Sequence, residues 1–278
     1  MLWSVGLAFG LALACAAGRA EMSLGSPHAI VVDEETGEVL LQRDAGAAAP
    51  MGSLAKLMTA MVVLDAQQDA NEGLQIDAVV ADRLKRTRGG VPIGAVVPRA
   101  TLLALALIAS DNHAASALAH HYPGGIDAFQ AAMRQKVRSL GLVSTLIEEP
   151  TGLSPNNLSS AQDMAKILRA AAGYPELSEI TSRRSWSAIV NGRRWVVRNT
   201  NRLVGAPGWD ILLSKTGFTN EAGHCLGMRL RVAGRTVVIV LMGAGRSSTR
   251  ALDSLNIRLR LENRPPALCL SCTRRLAV

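Results

Sequence analysis

Pro50-Met51-Gly52-Ser53-Leu54-Ala55-Lys56-Leu57-Met58-Thr59-Ala60-Met61-Val62-Val63-Leu64-Asp65 is the stretch on which the reading of this chain turns. Pro50 and Gly52 stop whatever precedes, and Ser53 to about Asp65 reads as a helix that is apolar on nearly every side. A helix with no polar face belongs in the centre of a domain. Its first turn carries a hydroxyl and an amine, Ser53 and Lys56, three residues apart and so on one face. A lone ammonium on a buried helix is costly unless it has partners and a task.

Working outward, Ala29–Val32 and Val39–Leu41 flank Glu35-Thr36-Gly37-Glu38 and read as an antiparallel hairpin. Downstream, Thr101 reads as the cap of a second apolar helix over 102–109, followed by helices over 112–121 and 126–140. Residues 149–157 read as loop. Ser160, with Asp163 in the first turn behind it, signals another helix start. Asn191-Gly192 between Trp186–Val190 and Trp195–Arg198 is the best two-residue hairpin signal in the chain. Three further strands follow, Ile211–Ser214, Cys225–Val232 and Arg235–Met242, and then a closing helix over 247–262. Strands at both ends with helices between predict an α+β fold: an antiparallel sheet flanked by helices, plus a helical lobe, with a cleft between them.

The chain has 278 residues and 49% hydrophobic content, enough for a substantial core. Its formal charge is +8, yet only five of the 30 basic residues are lysines, and no basic block interleaves with aromatics. That pattern argues against nucleic-acid binding and suits a surface facing an anionic polymer. Residues 1–20 read as an export signal, with cuts after Ala16 or Ala20, or else as an uncleaved anchor that leaves the rest outside the cytoplasm. Ala12-Leu13-Ala14 before Cys15 makes a poor lipidation signal. Residues 21–262 then form the main domain and 263–278 a tail. Cys269-Leu270-Ser271-Cys272 has metal-knuckle spacing but no second pair to complete a site, and reads as a local disulfide or free thiols.

Two more tripeptides join the Ser53–Lys56 pair: Ser110-Asp111-Asn112 at the end of an apolar helix and Lys215-Thr216-Gly217 at the end of an apolar strand. Alone, each could be an ordinary surface pair, a helix cap or a strand-end turn. In this order they match enzymes that attack a carbonyl with serine and activate it with lysine. Serine hydroxyl is a weak nucleophile until a base takes its proton, and burial beside another cation lowers a lysine's pKa enough for Lys56 to serve. Ser110 is expected to relay a proton between Lys56 and a leaving amine, and Asn112 to hold a substrate amide. Lys215 and Thr216 suit a substrate carboxylate, and Gly217 allows close backbone approach. The N–H groups of Ser53 and Phe218 could form an oxyanion hole. His113, His120 and His121 share a helix face, but their spacing is wrong for zinc, so they read as structural. No metal and no cofactor are expected.

With these residues placed, the sequence resembles the low-molecular-mass penicillin-binding proteins, peptidase family S11. The likeness extends to Leu118–Gly125, Glu149-Pro150-Thr151-Gly152-Leu153-Ser154, Arg198–Asn201, Lys215–Asn220 and Ala222–Leu226, over about residues 27–262. It implies a β-lactamase/transpeptidase-like fold, acylation of Ser53 by D-alanyl peptides and then hydrolysis. The partners it implies are peptidoglycan stem peptides and, as covalent inhibitors, β-lactams, in the periplasm and with at most a loose membrane association. Ser53-Leu54-Ala55-Lys56 has Ala where the family usually has Thr, and Asp111 stands where near relatives usually have Glu. The β-rich C-terminal domain and amphipathic anchor of the family's carboxypeptidases have no counterpart in this sequence, so the resemblance favours an endopeptidase cutting D-Ala–diaminopimelate cross-links over a carboxypeptidase or a non-turnover wall-binding protein. Glu148 and Glu149 lie where class A β-lactamases carry a deacylating glutamate, but without that family's Glu-x-x-Leu-Asn pattern. Glu149 therefore reads as a loop residue near the site.

Overall fold

A computed structural model describes residues 23–77 and 90–267. The proposed export signal, Cys15, Cys269 and Cys272 lie outside these residues. Strand β1 (His28–Asp33) turns into β2 (Val39–Arg43) as the hairpin pattern predicts. A two-residue strand, β3 (Ala49–Pro50), leads through a 3-10 turn over Gly52–Ala55 into α1 (Lys56–Asp65). The short strands β4 (Gly73–Gln75) and β5 (Val96–Pro98) pair with each other. Four helices build the lobe: α2 (Arg99–Ile108), α3 (Asn112–His120), α4 (Gly125–Ser139) and, after the short β6 (Leu158–Ser159), α5 (Ala161–Ala171). Helix α6 (Pro175–Thr181) precedes the hairpin of β7 (Ser185–Val190) and β8 (Arg193–Arg198). Strands β9 (Asp210–Thr219), β10 (Gly223–Val232) and β11 (Arg235–Ala244) run in succession, and α7 (Ser247–Leu261) closes the fold.

The main sheet has the order β2-β1-β11-β10-β9, with every pairing antiparallel. Alternation along each strand splits the core in two. Ile30, Val32, Val238, Val240 and Met242 face α1, α5 and the rest of the lobe, whereas Ala29, Val31, Val237, Ile239 and Leu241 face Ile257 of α7. Helix α1 runs through the first of these cores: Leu57, Met58 and Met61 are wholly buried, each contributing about 1.5–3 kcal/mol. Among the described residues no helix is long and apolar enough to cross a membrane.

Three details differ from the sequence reading. Thr101 lies inside α2, because Pro98 takes the cap position and its fixed φ starts the helix earlier. The strand carrying Lys215-Thr216-Gly217 does not end there but runs on to Thr219, held by pairing of residues 217–219 with 223–225 of β10. Ser53 sits in a 3-10 turn, so the regular helix begins only at Lys56.

Candidate active site

The site gathers where three elements meet: the turn entering α1, the corner between α2 and α3, and β9. Strand β9 is an edge of the sheet, so one side of it is not paired with another strand. Two glycines permit the approach of strand to turn. A methyl group on Gly217 would stand 2.8 Å from Met51 O and 3.1 Å from Ser53 N, and one on Gly52 3.2 Å from Phe218 N. The Ser53 and Phe218 amides are thereby neighbours.

Ser53 and Lys56 are buried, and Lys56 Nζ lies 2.9 Å from Ser53 Oγ. The same nitrogen donates to Asn112 Oδ1 at 2.7 Å and to the Thr151 carbonyl at 2.6 Å. Both carbonyl oxygens only accept, so in a neutral amine they take its two N–H groups and leave the lone pair for the Ser53 O–H. Burial holds Lys56 down at about 7, from an ordinary value of 10.5, while the charges of Glu149 and Asp111 push the other way. A base titrating near neutrality beside a buried hydroxyl is what nucleophile activation needs.

Ser110 follows the end of α2 in a left-handed conformation, φ 59°, which a non-glycine residue adopts at some cost. Asp111 then caps α3, accepting the Ala114 N–H at 2.9 Å and, through its second oxygen, the Val91 N–H at 3.0 Å. This corner turns Ser110 and Asn112 towards different lysines. Lys215 Nζ donates to Ser110 Oγ at 2.8 Å and to Thr216 O at 2.9 Å. Ser110, expected from the sequence to relay a proton between Lys56 and a leaving amine, thus bonds Lys215. Lys215 is pulled well below its ordinary value, first by burial and then by the positive charges of Lys56 and Arg250. Thr216 Oγ1 donates to Thr200 Oγ1 at 2.7 Å, and Thr200 is exposed. Phe218 is 54% exposed and stacks on His224 with ring centroids 4.3 Å apart, forming a rim.

Of the eight residues singled out from the sequence, Ser53, Lys56 and Asn112 meet at Lys56 Nζ, Ser110 bonds Lys215, and Gly217 and Phe218, which follow Lys215 and Thr216 on β9, lie against the turn that carries Ser53. Arg250 was missed. It stands in the first turn of α7, donates to the Cys225 carbonyl at 2.9 Å, and leaves Nε buried without a partner among the described residues. Only its position beside β10 distinguishes it from the many other arginines of the chain. The three histidines each bond a backbone carbonyl, those of Val91, Ser116 and Gln75. Among the described residues no three His, Cys, Asp or Glu side chains come together as a metal site would require.

Comparison with known proteins agrees with this architecture. The family model for peptidase S11, described as D-alanyl-D-alanine carboxypeptidase, matches residues 16–246. A D-alanyl-D-alanine endopeptidase of Escherichia coli K12 is 40% identical over 253 residues, covering 90% of this chain and 81% of that protein. Another of the same name, from Pseudomonas aeruginosa, is 39% identical over 244 residues, 87% of this chain and 79% of that protein. The crystal structure of the Streptomyces K15 DD-transpeptidase superposes with a TM-score of 0.79 at 23% identity, covering 87% of this chain and 97% of that one, a likeness of fold.

Proposed function

The chain belongs to peptidase family S11, and from that premise we propose that it is a serine DD-peptidase that cuts D-Ala–diaminopimelate cross-links of peptidoglycan through an acyl-Ser53 intermediate. The observation that carries the proposal is Lys56 Nζ, 2.9 Å from Ser53 Oγ and bound to two accept-only oxygens, an arrangement in which the neutral amine turns its lone pair to the Ser53 hydroxyl.

An extended peptide adds to the open edge of β9, its carboxylate drawn to Lys215, Thr216 and the charge of Arg250. The carbonyl oxygen enters the space between the Ser53 and Phe218 N–H groups. Lys56 takes the Ser53 proton as Oγ bonds to the carbonyl carbon, and the developing oxyanion is held by those two amides. The C–N bond then breaks, and the departing amine takes up, through Ser110, the proton that Lys56 removed from Ser53, which returns Lys56 to its neutral form; Lys215 bonds the relaying Ser110 hydroxyl. Water, deprotonated by Lys56, attacks the ester, and Ser53 Oγ leaves the carbonyl carbon with the proton that Lys56 returns to it. β-Lactams enter the same path and remain as the acyl-enzyme. We read residues 21–262 as this catalytic domain and residues 1–20 as the segment that sends it to the periplasm, where the cell wall lies. Lipid is at most a loose neighbour, and nucleic acid is not a partner.

A second reading, carboxypeptidase, is favoured by the description attached to the family model. Digestion of purified muropeptides separates the two. Cross-linked dimers falling to monomers support the endopeptidase. Release of free D-alanine from pentapeptides, with dimers intact, overturns it in favour of the carboxypeptidase.

A further inference from the structure

Glu149 stands outside the motifs, yet its carboxylate is the most heavily bonded group near the site. Oε2 accepts the Thr151 N–H at 2.7 Å and the Thr151 hydroxyl at 2.6 Å. Oε1 accepts the N–H groups of Gly152 at 2.6 Å, Leu153 at 2.8 Å and Ser154 at 3.2 Å, and Asn157 Nδ2 at 2.8 Å. A carboxylate so occupied has no lone pair free to take a proton from water, so it does not act as a deacylating base in this arrangement. What it does is shape the loop, and the loop touches the catalytic residues twice. The Thr151 carbonyl receives Lys56 Nζ at 2.6 Å, and Gly152, at φ +85°, lies so close to the turn that a methyl there would fall 2.0 Å from Gly52 O. The Pro150 carbonyl adds a third tie by accepting Thr59 Oγ1 at 2.7 Å from inside α1.

We propose that Glu149 is a positioning residue for the catalytic lysine: it folds residues 151–154 so that the Thr151 carbonyl fixes one N–H of Lys56, and it supplies the negative charge facing Lys56 from that side. The inference rests on the serine DD-peptidase reading. Around Lys56 the other charged groups are Asp111 from the α2–α3 corner and Lys215 from β9. Glu148, next in sequence, spends its carboxylate on Ser154 and Asn156 at the surface. Glu149 and Asp111 both favour the ammonium form, opposing burial. Loss of the Glu149 charge therefore makes Lys56 neutral at lower pH, while loss of its hydrogen bonds blurs the lysine's aim.

The test is the rate of Ser53 acylation by a fluorescent penicillin from pH 5 to 9. In Glu149→Gln, checked for folding by circular dichroism, the midpoint of the rising limb is expected to move down by about one pH unit and the plateau to fall about tenfold. A purely structural residue would lower the plateau and leave the midpoint. A folded Glu149→Gln protein with the wild-type midpoint overturns the proposal. Glu149→Asp keeps the charge and shortens the arm, so it is expected to keep the midpoint and lose plateau rate. If the Gln variant does not fold, Glu149→Asp decides: a wild-type plateau overturns the proposal. Wild-type protein that takes no label on Ser53 at any pH would instead remove the hydrolase reading itself.

Discussion

Lys56 and Lys215 are both buried, but the walls that hold them are built in opposite ways. Lys56 is met by a hydroxyl, an amide oxygen and a backbone carbonyl, and the charges that favour its ammonium form are the carboxylates of Glu149 and Asp111. Lys215 has a hydroxyl and its neighbour's carbonyl, and the ionised groups that act on it, Lys56 and Arg250, are positive. The first wall compensates its lysine and leaves a base poised at about 7. The second sets like charges beside a buried amine, so that burial and repulsion both press Lys215 towards its neutral form, and an anion beside it would reverse that. In the proposed mechanism one wall moves a proton and the other receives a carboxylate.

The sharpest way to break this contrast is to truncate each lysine. Lys56→Ala is expected to slow acylation by fluorescent penicillin about 1000-fold or more, because the nucleophile loses its base. Lys215→Ala is expected to lose about 100-fold, because the ligand carboxylate loses its partner while the Ser53–Lys56 pair persists. Equal losses in second-order rate constants would mean that the walls do not divide the work.

A smaller effect is expected from the joint between loop and turn. Gly152→Ala forces a methyl against Gly52 O in a left-handed conformation and should cost about 2–3 kcal/mol in urea unfolding. Wild-type stability would show that the loop is not packed on the catalytic turn as described.

The Lys56 contrast also has a signature in pH. Its value in the folded protein, about 7, lies below the ordinary 10.5, so between the two the unfolded chain binds a proton that the folded chain does not. Stability from this group therefore rises with pH across that window, and the penalty is fully present below about pH 7. The urea midpoint should climb between pH 7 and 9 more steeply in the wild type than in Lys56→Met. Parallel slopes would place the lysine's charge elsewhere. The smallest effect is expected away from both walls: Ile189, 63% exposed on the β7–β8 hairpin, should tolerate serine within about 0.5 kcal/mol and with unchanged labelling.

Local rules carried much of the architecture. Asn191 and Gly192, at φ 50° and 71°, make the tight hairpin turn that their identities predict, and Ser160 accepts the Asp163 N–H at 3.1 Å as the capping pattern requires. The apolar run after Ser53 declared a buried helix because no face of it could meet water. What sequence could not convey was fixed by distant partners. Helix α6 and the β3–β6 pairing are too short to show a period, and the end of β9 was set by β10 rather than by its own residues. At the site, residue identities followed from motif order, but Ser110's bond to Lys215, Arg250's reach and the donors around Glu149 depend on how the chain returns upon itself.

The most direct measurement is to incubate the protein with fluorescent penicillin, digest it and map the adduct by mass spectrometry. The account predicts a single acyl adduct on Ser53, absent in Ser53→Ala. An adduct on another residue, or labelling that survives the substitution, would contradict it.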